Sequence, residues 1–313
     1  MKLGRTLRPR PSASVDFTAI GENSLDTLVV SSGAGLAGKQ TATTLVELPG
    51  GQAATAAVAL ARLQWRSRYI GAVGDDAAGL VVRETLAAEG VRSGLTIRRG
   101  AMTRRAVVIV DGTTGERQVL EHRDVALDLA SDEPDEDAFT DTRILLIDLT
   151  DPAASLRAAR AARHVGVGIL IDVDRPDPSL DDLLPLVDLI VAPAEAVCAM
   201  AGRVELGESL RRLAETSSAA AVIATLGGGG ALAWCQHQEV RSPSHPVAVV
   251  DSTGAGDAFR AGLAAGWLGR QDPHLEELLA DANLLAGLNC RALGAQTSLP
   301  QALEVPWHLR GPV

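Results

Sequence analysis

Lysine, aromatic residues and cysteine are scarce in this chain of 313 residues. Only two of its 29 basic residues are lysines, Lys2 and Lys39, and aromatic side chains make up 3% of the sequence. The three cysteines stand far apart without a CxxC pair, which argues against a zinc site or a disulfide framework and fits a reducing cytoplasm. The core must therefore be aliphatic, and Lys39 is a candidate for a specific role.

Long apolar runs and excess positive charge are also missing. No apolar run reaches the roughly 18 residues that a membrane span needs, and the basic start of the chain lacks the apolar centre of a signal peptide. We therefore predict no membrane partner, a cytoplasmic protein, and a flexible tail over residues 1–14. The net charge of −10 argues against a nucleic-acid partner, while 46% hydrophobic residues exclude a disordered chain.

Short apolar strands alternate with helical patterns along most of the chain. The predicted strands are 17–21, 68–73, 144–149, 168–173, 186–192 and 221–225, the last followed by a glycine turn and an antiparallel return over 231–234. Such alternation is typical of an α/β protein with a doubly wound, mostly parallel sheet. We predict one domain over residues 15–310.

Two segments interrupt this rhythm. Residues 41–48, 106–110 and 118–122 are rich in β-forming residues, and no helix separates the last two. We predict that they form a small β-sheet inserted in the domain as a lid, from segments of about 27–49 and 95–125. Arginines crowd the second segment, and strand alternation would turn about half of them outward.

The stretch from Val249 to Gly266, VVDSTGAGDAFRAGLAAG, predicts a strand, a small-residue turn and a helix. A helix that begins in a glycine turn directs free N–H groups and its positive dipole end forward, which makes an anion site at Gly254, Ala255 and Gly256. Asp257 would repel a phosphate unless it takes a proton from a hydroxyl that attacks that phosphate. The alternative is a plain glycine-rich turn with a capping aspartate.

Three further positions follow predicted strands, where ligands collect in open α/β sheets. Asp26 comes just beyond the first strand, Gly50 and Gly51 place bare backbone at a helix start, and Gly227 to Gly230 form a second glycine run. A turn or capping role for Asp26 and a tight hairpin at the glycine run are the alternatives.

These motifs resemble those of the ribokinase family of carbohydrate kinases, also called the phosphofructokinase-B family. PGGQAATAAVALARL…YIGAVGDDAAG and DSTGAGDAF stand about 200 residues apart in the family's order, and GAQTSLP is similar to its closing segment. The resemblance covers roughly residues 15 to 300. It implies a ribokinase-like three-layer α/β/α sandwich around a mostly parallel sheet, with a small β-sheet lid that forms the homodimer contact in many members.

The resemblance also implies roles for individual residues. Asp257 is similar to the general base, and the turn at 254–256 to the anion hole. Sugar binding is implied for Asp26, Gly50, Gly51 and Thr55, and nucleotide binding for Thr225, Gly227, Gly230 and Asn283. Glu195 stands where the family positions Mg²⁺ through water, and the implied ligands of a monovalent cation such as K⁺ are Asp251, Thr253, Ala292, Gly294 and Ser298. Sulfofructose kinases of the family carry a lysine where Lys39 stands.

Several positions depart from the family's pattern. Many members have asparagine in place of Thr55, whose hydroxyl cannot make an amide's bidentate contact, and asparagine in place of Ala192, three residues before Glu195. Thr150 replaces a glutamate that contacts the sugar in ribokinases. The substrate end is therefore altered while the phosphoryl-transfer end is intact.

The prediction is an ATP- and Mg²⁺-dependent kinase of a small sugar or sugar derivative. Because Lys39 and several arginines belong to the lid segments, we predict a modest preference for an anionic sugar, against which Glu121 argues. A nucleoside kinase of the same fold is one alternative, disfavoured by the scarcity of aromatic residues. A non-catalytic sugar-binding relative is the other.

Overall fold

The computed structural model describes residues 1–4, 13–31, 41–112, 117–130, 132–202 and 205–312. Its strands are β1 Phe17–Ile20, β2 Ser24–Ser31, β3 Ala42–Gly50, β4 Ser67–Gly74, β5 Arg92–Arg98, β6 Arg105–Asp111, β7 Arg117–His122, β8 Ile144–Ile147, β9 Gly168–Asp172, β10 Leu189–Pro193, β11 Ala221–Thr225, β12 Ala231–Cys235 and β13 Gln238–Ser242. Its α-helices are α1 Gln52–Arg62, α2 Ala77–Ala88, α3 Asp137–Thr140, α4 Pro152–His164, α5 Leu180–Leu183, α6 Ala194–Ala201, α7 Leu206–Thr216, α8 Ala255–Gly269 and α9 Leu275–Asn289.

The large sheet has the order β13-β12-β11-β10-β9-β8-β1-β4-β5. It is parallel from β11 to β5, and the hairpin strands β12 and β13 extend one edge antiparallel. The central strands are buried on both faces, as their unbroken apolar sequences ILLI and GILID require. The predicted doubly wound, mostly parallel sheet is confirmed.

Helices cover both faces of this sheet and give three layers. Alternate residues of β8 enter different cores, with Ile144 and Leu146 on one side and Leu145 and Ile147 on the other. Helices α1, α2, α8 and α9 pack on the first side, and α4, α6 and α7 on the second. The alanines of α1 and α8 are almost fully buried, so these two helices approach each other closely beneath the site described below.

The small sheet has the order β3-β2-β6-β7, with β2 parallel to β6 and both outer strands antiparallel. The sequence indicated β3, β6 and β7 but missed β2, because its start, SLDT, is too polar to suggest a strand. Residues 92–98 pair with β4 in the large sheet. The second segment of the small sheet therefore begins at Arg105 and not near residue 95.

Residues 1–4 pack against the fold, unlike the flexible tail that the sequence predicted for residues 1–14. The backbone of Lys2 forms an isolated antiparallel β-bridge with that of His274. Leu3 is only 3% exposed and belongs to the first core. Of the predicted tail, residues 5–12 lie outside the described residues. Within the described part, no helix combines the length and the apolar character that a membrane span requires.

Candidate active site

The turn before α8 has the geometry of an anion site. Gly254 caps the helix with φ of +76°, a conformation that glycine adopts without strain. A Cβ atom at Gly254 would also lie 2.6 Å from the carbonyl oxygen of Ala295, so space and backbone angle both require glycine. The preceding Val249 and Val250 are exposed and belong to no strand, so the predicted entering strand is wrong. The chain reaches the turn as an extended loop.

Two cavities meet at this turn. The first is lined by Asp26, Gly51, Thr253, Gly254 and Asp257, together with side chains of the small sheet. The second has a volume of about 500 Å³, and its lining includes Ala255 and Gly256 together with the predicted nucleotide residues Thr225, Gly227, Gly230 and Asn283. The fold thus brings residues from distant parts of the sequence to opposite sides of the α8 N-terminus.

Asp26 and the glycine pair form one wall of the first cavity. Asp26 lies within β2 and not beyond the end of β1 as predicted, and its side chain is 8% exposed. A Cβ atom on Gly50 would meet the Asp26 carboxylate at 2.2 Å, and one on Gly51, whose φ is +89°, would meet the Asn23 backbone at 2.3 Å. Gly50 therefore lets the backbone lie directly against this carboxylate, and Gly51 lets it lie against the backbone of Asn23.

Other predicted residues lie elsewhere. Thr55 is fully buried, its hydroxyl accepts a 3.3 Å hydrogen bond from Gln296, and it does not line either cavity. Glu195 is exposed in the first turn of α6 and lines neither cavity. Its carboxylate therefore does not face the turn, and Thr55 is in position to support α1 rather than to contact a sugar. Lys39 falls outside the described residues.

The surroundings of Asp257 raise the pKa of its carboxyl group. Removal from bulk water raises its pKa to about 7; Arg260 opposes this shift, and the carboxylates of Asp174, Asp148 and Asp26 add to it. Arg260, one turn further along α8, forms a buried ion pair with Asp172 at the end of β9. A group that titrates near neutrality is suited to accept a proton in the reaction.

Glu22 is a further residue of the site that the sequence analysis missed. It lines the first cavity, and burial raises its pKa to about 8 although the Arg104 guanidinium opposes the shift. The Glu22 carboxylate forms an ion pair with Arg104, with Nε at 3.0 Å. The backbone N–H of Glu22 donates a 2.7 Å hydrogen bond to the Asp148 carboxylate. The sequence did place Glu22 just after the first strand, at the carboxyl edge of the sheet, and this position could have identified it as a site residue.

Four of the arginines that the sequence places in the basic lid are ion-paired within the described residues. Arg98 pairs with Glu133, Arg105 with Glu47, and Arg123 with Asp128. Arg104, which lines the cavity, pairs with both Glu22 and Glu121. The predicted preference for an anionic sugar therefore finds no unpaired cation among these four arginines, because acids on neighbouring segments face them.

The residues predicted around a monovalent cation lie beside the turn. The Asp251 carboxylate accepts hydrogen bonds from Thr253 N–H and Gly294 N–H, and Ala292 and Ser298 belong to the same loop after α9. Asn289, fully buried at the end of α9, donates from Nδ2 to the carbonyl oxygens of Thr253 at 3.2 Å and Ala295 at 3.0 Å. A neutral side-chain amide thus ties together the two backbone segments that flank Gly254.

Comparisons with known proteins agree with this geometry. The family model for the pfkB family of carbohydrate kinases matches residues 18–302. The chain is 32% identical over 277 residues to the fructokinase of Klebsiella pneumoniae, covering 82% of this chain and 90% of that one. It is 31% identical over 278 residues to the aminoimidazole riboside kinase of Salmonella typhimurium, with 82% and 86% coverage.

The fold comparison gives the same result. The crystal structure of the ribokinase of Thermotoga maritima superposes with a TM-score of 0.81 at 22% identity, covering 94% of this chain and 99% of that one. The chain therefore belongs to the pfkB family of carbohydrate kinases and has the ribokinase-like fold. The predicted family, fold and enzyme class are confirmed.

Proposed function

We propose that this protein transfers the γ-phosphoryl group of ATP to a hydroxyl group of a small sugar. One observation carries the proposal: the N-terminus of α8, with Asp257 in its first turn, separates a polar cavity from a second cavity large enough for a nucleotide. Both reactants would then meet at a backbone anion site.

Asp257 is the general base in this proposal. The acceptor hydroxyl gives its proton to the Asp257 carboxylate while its oxygen forms a bond to the γ-phosphorus, and the bond from that phosphorus to the β-phosphate oxygen breaks to release ADP. The N–H groups of residues 254–256 and the dipole of α8 stabilise the charge on the transferring phosphoryl oxygens. Asp26 and the backbone at Gly51 hold the sugar.

The second cavity suits the nucleotide. Gly227 and Gly230 have φ of +53° and +83°, and a Cβ atom at Gly230 would lie 2.2 Å from the carbonyl oxygen of Ser242. Bare backbone at these positions leaves room for a flat base or a phosphate. Asn283 is fixed by its 3.0 Å bond to Ser242, so the polar edge of this cavity is held in place before ATP arrives.

Mg²⁺ would be held mainly by the phosphates of ATP. The described residues contain no group of three or more histidine, cysteine or acidic side chains arranged around an ion, and Glu195 is exposed. When bound, Mg²⁺ neutralises phosphate charge. The protein itself helps to offset the phosphate charge through the positive end of the α8 dipole.

The pH profile of kcat/KM follows from the pKa of Asp257. Because the base must be ionised, we expect kcat/KM to fall by about tenfold per pH unit below pH 7, and to level off above it. A profile that stays flat from about pH 5 to about pH 8, roughly two units below that pKa to one unit above it, would contradict the assignment of a base with a raised pKa.

We propose that Asn289 takes over the structural role of the monovalent cation expected from the sequence. Its amide already joins the carbonyl oxygens of Thr253 and Ala295 across the turn. Exchange of K⁺ for tetramethylammonium should therefore change the wild-type rate by less than about twofold, a difference below 0.5 kcal/mol.

The variant Asn289→Ala frees both carbonyl oxygens and should lose activity that K⁺, but not tetramethylammonium, restores in part. Asn289→Asp would leave an oxygen where a donor stood and serves as the second variant. A wild type that needs K⁺, with no change in that requirement on substitution, would overturn this role.

A nucleoside kinase is the second candidate for this site, because relatives of that kind match the chain. Among the described residues that line the substrate side, however, none is aromatic, and carboxylates dominate. Such a wall suits a polyol better than a flat nucleobase. A non-catalytic sugar-binding role would leave the raised pKa of Asp257 without a purpose.

Measurement of ADP formation with matched panels of hexoses, pentoses and nucleosides distinguishes a sugar kinase, a nucleoside kinase and a non-catalytic sugar-binding protein. The proposal expects turnover with a sugar and much less with any nucleoside. Turnover with nucleosides alone supports the second candidate, and sugar binding without turnover supports a non-catalytic relative.

The homodimer expected through the small sheet also remains a proposal. Leu45 and Leu120 on the small sheet are 71% and 52% exposed, which is costly for a monomer. The mass in solution should equal two chains, and Leu120→Lys should shift it to one.

A further inference from the structure

The charged residues around the proposed sugar cavity indicate which chemical class of sugar would accept the phosphoryl group. The first cavity adjoins another of about 520 Å³, and the two share Glu22, Gln52, Arg104 and Val119. Besides the ion-paired Asp172, six carboxyl side chains line this combined space against two guanidinium groups, Arg104 and Arg175: Glu22, Asp26, Glu121, Asp174, Asp177 and Asp257. The space has a large excess of acid.

Arg104 is shared by two acids, Glu22 on the large-sheet side and Glu121 on β7. Burial raises the pKa of Glu22 to about 8, so its carboxyl group is mainly protonated near neutral pH, and a second cation beside it would favour the ionised form. The Arg104 side chain is 11% exposed, whereas Glu121 is half-exposed and faces the cavity. A further cation between these acids would gain charge-assisted hydrogen bonds, and an anion would be repelled.

Asp26 provides an independent sign that a ligand belongs here. Ser24 and the Ala106 backbone hydrogen-bond to its carboxyl group, but Oδ1 is buried without a hydrogen-bond partner within the described residues, and Asp26 is 8% exposed and lines the cavity. A buried carboxylate oxygen without a donor is costly, so a donor from the substrate is expected. Hydroxyl groups satisfy Asp26, whereas Glu22 and Glu121 still share a single cation, Arg104.

We propose that the acceptor is an amino sugar or a similar polyol, whose protonated amine lies against Glu121 and Glu22 at the end away from Asp257. This inference rests on the proposed kinase function and specifies its substrate class. The amine replaces the anionic group that the sequence analysis expected. The hydroxyl groups of the same molecule reach Asp26 and Asp257.

The test compares four matched hexoses: the neutral sugar, its amino-deoxy form, the N-acetylated amine and the uronate. The comparison includes amines at each position of the ring. For the best amine we expect kcat/KM about tenfold or more above the neutral and N-acetyl forms, and the uronate below all of them, from the usual strength of a hydrogen bond between charged groups.

Glu121→Gln removes one charge while keeping size and should lower the ratio of amine to neutral kcat/KM about tenfold, a ratio that a general loss of activity would leave unchanged. Glu47→Gln is the matched control, a small-sheet glutamate that also pairs with an arginine but lines neither cavity. Amino sugars should also raise the Tm of the wild type more than neutral sugars do, which needs no variant.

The outcomes separate this inference from the kinase proposal. Turnover of neutral sugars or uronates as fast as amines, or a ratio that Glu121→Gln leaves unchanged, overturns the amine inference and leaves the kinase standing. Failure of every sugar to accept phosphate overturns both.

Discussion

Asp257→Asn should lower kcat for sugar phosphorylation by about 10²–10⁴-fold, because it removes the proposed general base without changing the shape of the turn. ATP binding should persist, since the N–H groups of 254–256 and the second cavity are unchanged. The measurement is steady-state kcat together with the Kd for ATP. Asp272→Asn, an exposed aspartate paired with Lys2, is the control and should keep wild-type kcat. A turnover within threefold of wild type would exclude Asp257 as the base.

The same variant has a predicted effect on stability with a definite sign. Asp257 has a pKa of about 7 in the folded protein, above its ordinary value, so folding disfavours its ionised form. Above pH 7 the wild type bears the full cost of that ionised group, and asparagine relieves it; the advantage shrinks as the pH falls toward 4, near the ordinary pKa of aspartate. Urea denaturation at pH 8 should therefore find Asp257→Asn more stable than wild type. The coupling would be contradicted if the difference in free energy of unfolding between Asp257→Asn and wild type were the same at pH 8 as at about pH 5.

Arg260→Leu should cause the largest loss of stability, about 3–5 kcal/mol, because it leaves Asp172 buried without its partner. Both side chains are nearly fully buried, so water cannot replace the lost ion pair. The free energy of unfolding from urea titration measures the effect, with Arg211→Leu as the control. Arg211 sits exposed on α7 between Glu208 and Glu215, where ion pairs contribute little.

A second variant distinguishes the lost charge pair from lost packing. The double variant Arg260→Leu with Asp172→Leu removes both charges and should recover much of the lost stability. No recovery would show that packing of the Arg260 stem, and not the unpaired carboxylate, dominates.

The sequence predicted the parts of the fold that depend on local pattern. Apolar strands such as ILLI and GILID indicated a buried parallel sheet, and the glycines before α1 and α8 marked the two turns that the fold brings into one site. Spacing of small and apolar residues determines these elements locally, so no long-range contact was needed to find them.

Other parts depend on pairing between distant segments. β2 begins with polar residues and becomes a strand only because β3 and β6 flank it, which moved Asp26 into a strand. Arg104 seemed to make a basic lid because its partners, Glu22 and Glu121, come from other elements. The position of Thr55 in the motif suggested a sugar ligand. Thr55 instead lies on a face of α1 that is buried, where its hydroxyl accepts a hydrogen bond from Gln296.

Transfer of a labelled γ-phosphoryl group from ATP to a sugar tests the central claim most directly. Purified protein, ATP and Mg²⁺ are incubated with and without each sugar, and ADP and labelled phosphosugar are quantified together. The account predicts sugar-dependent ADP formation with one phosphosugar per ADP, slowed by about 10²–10⁴-fold in Asp257→Asn. Label that appears only as free phosphate, or ADP formation that is independent of any sugar, would contradict it.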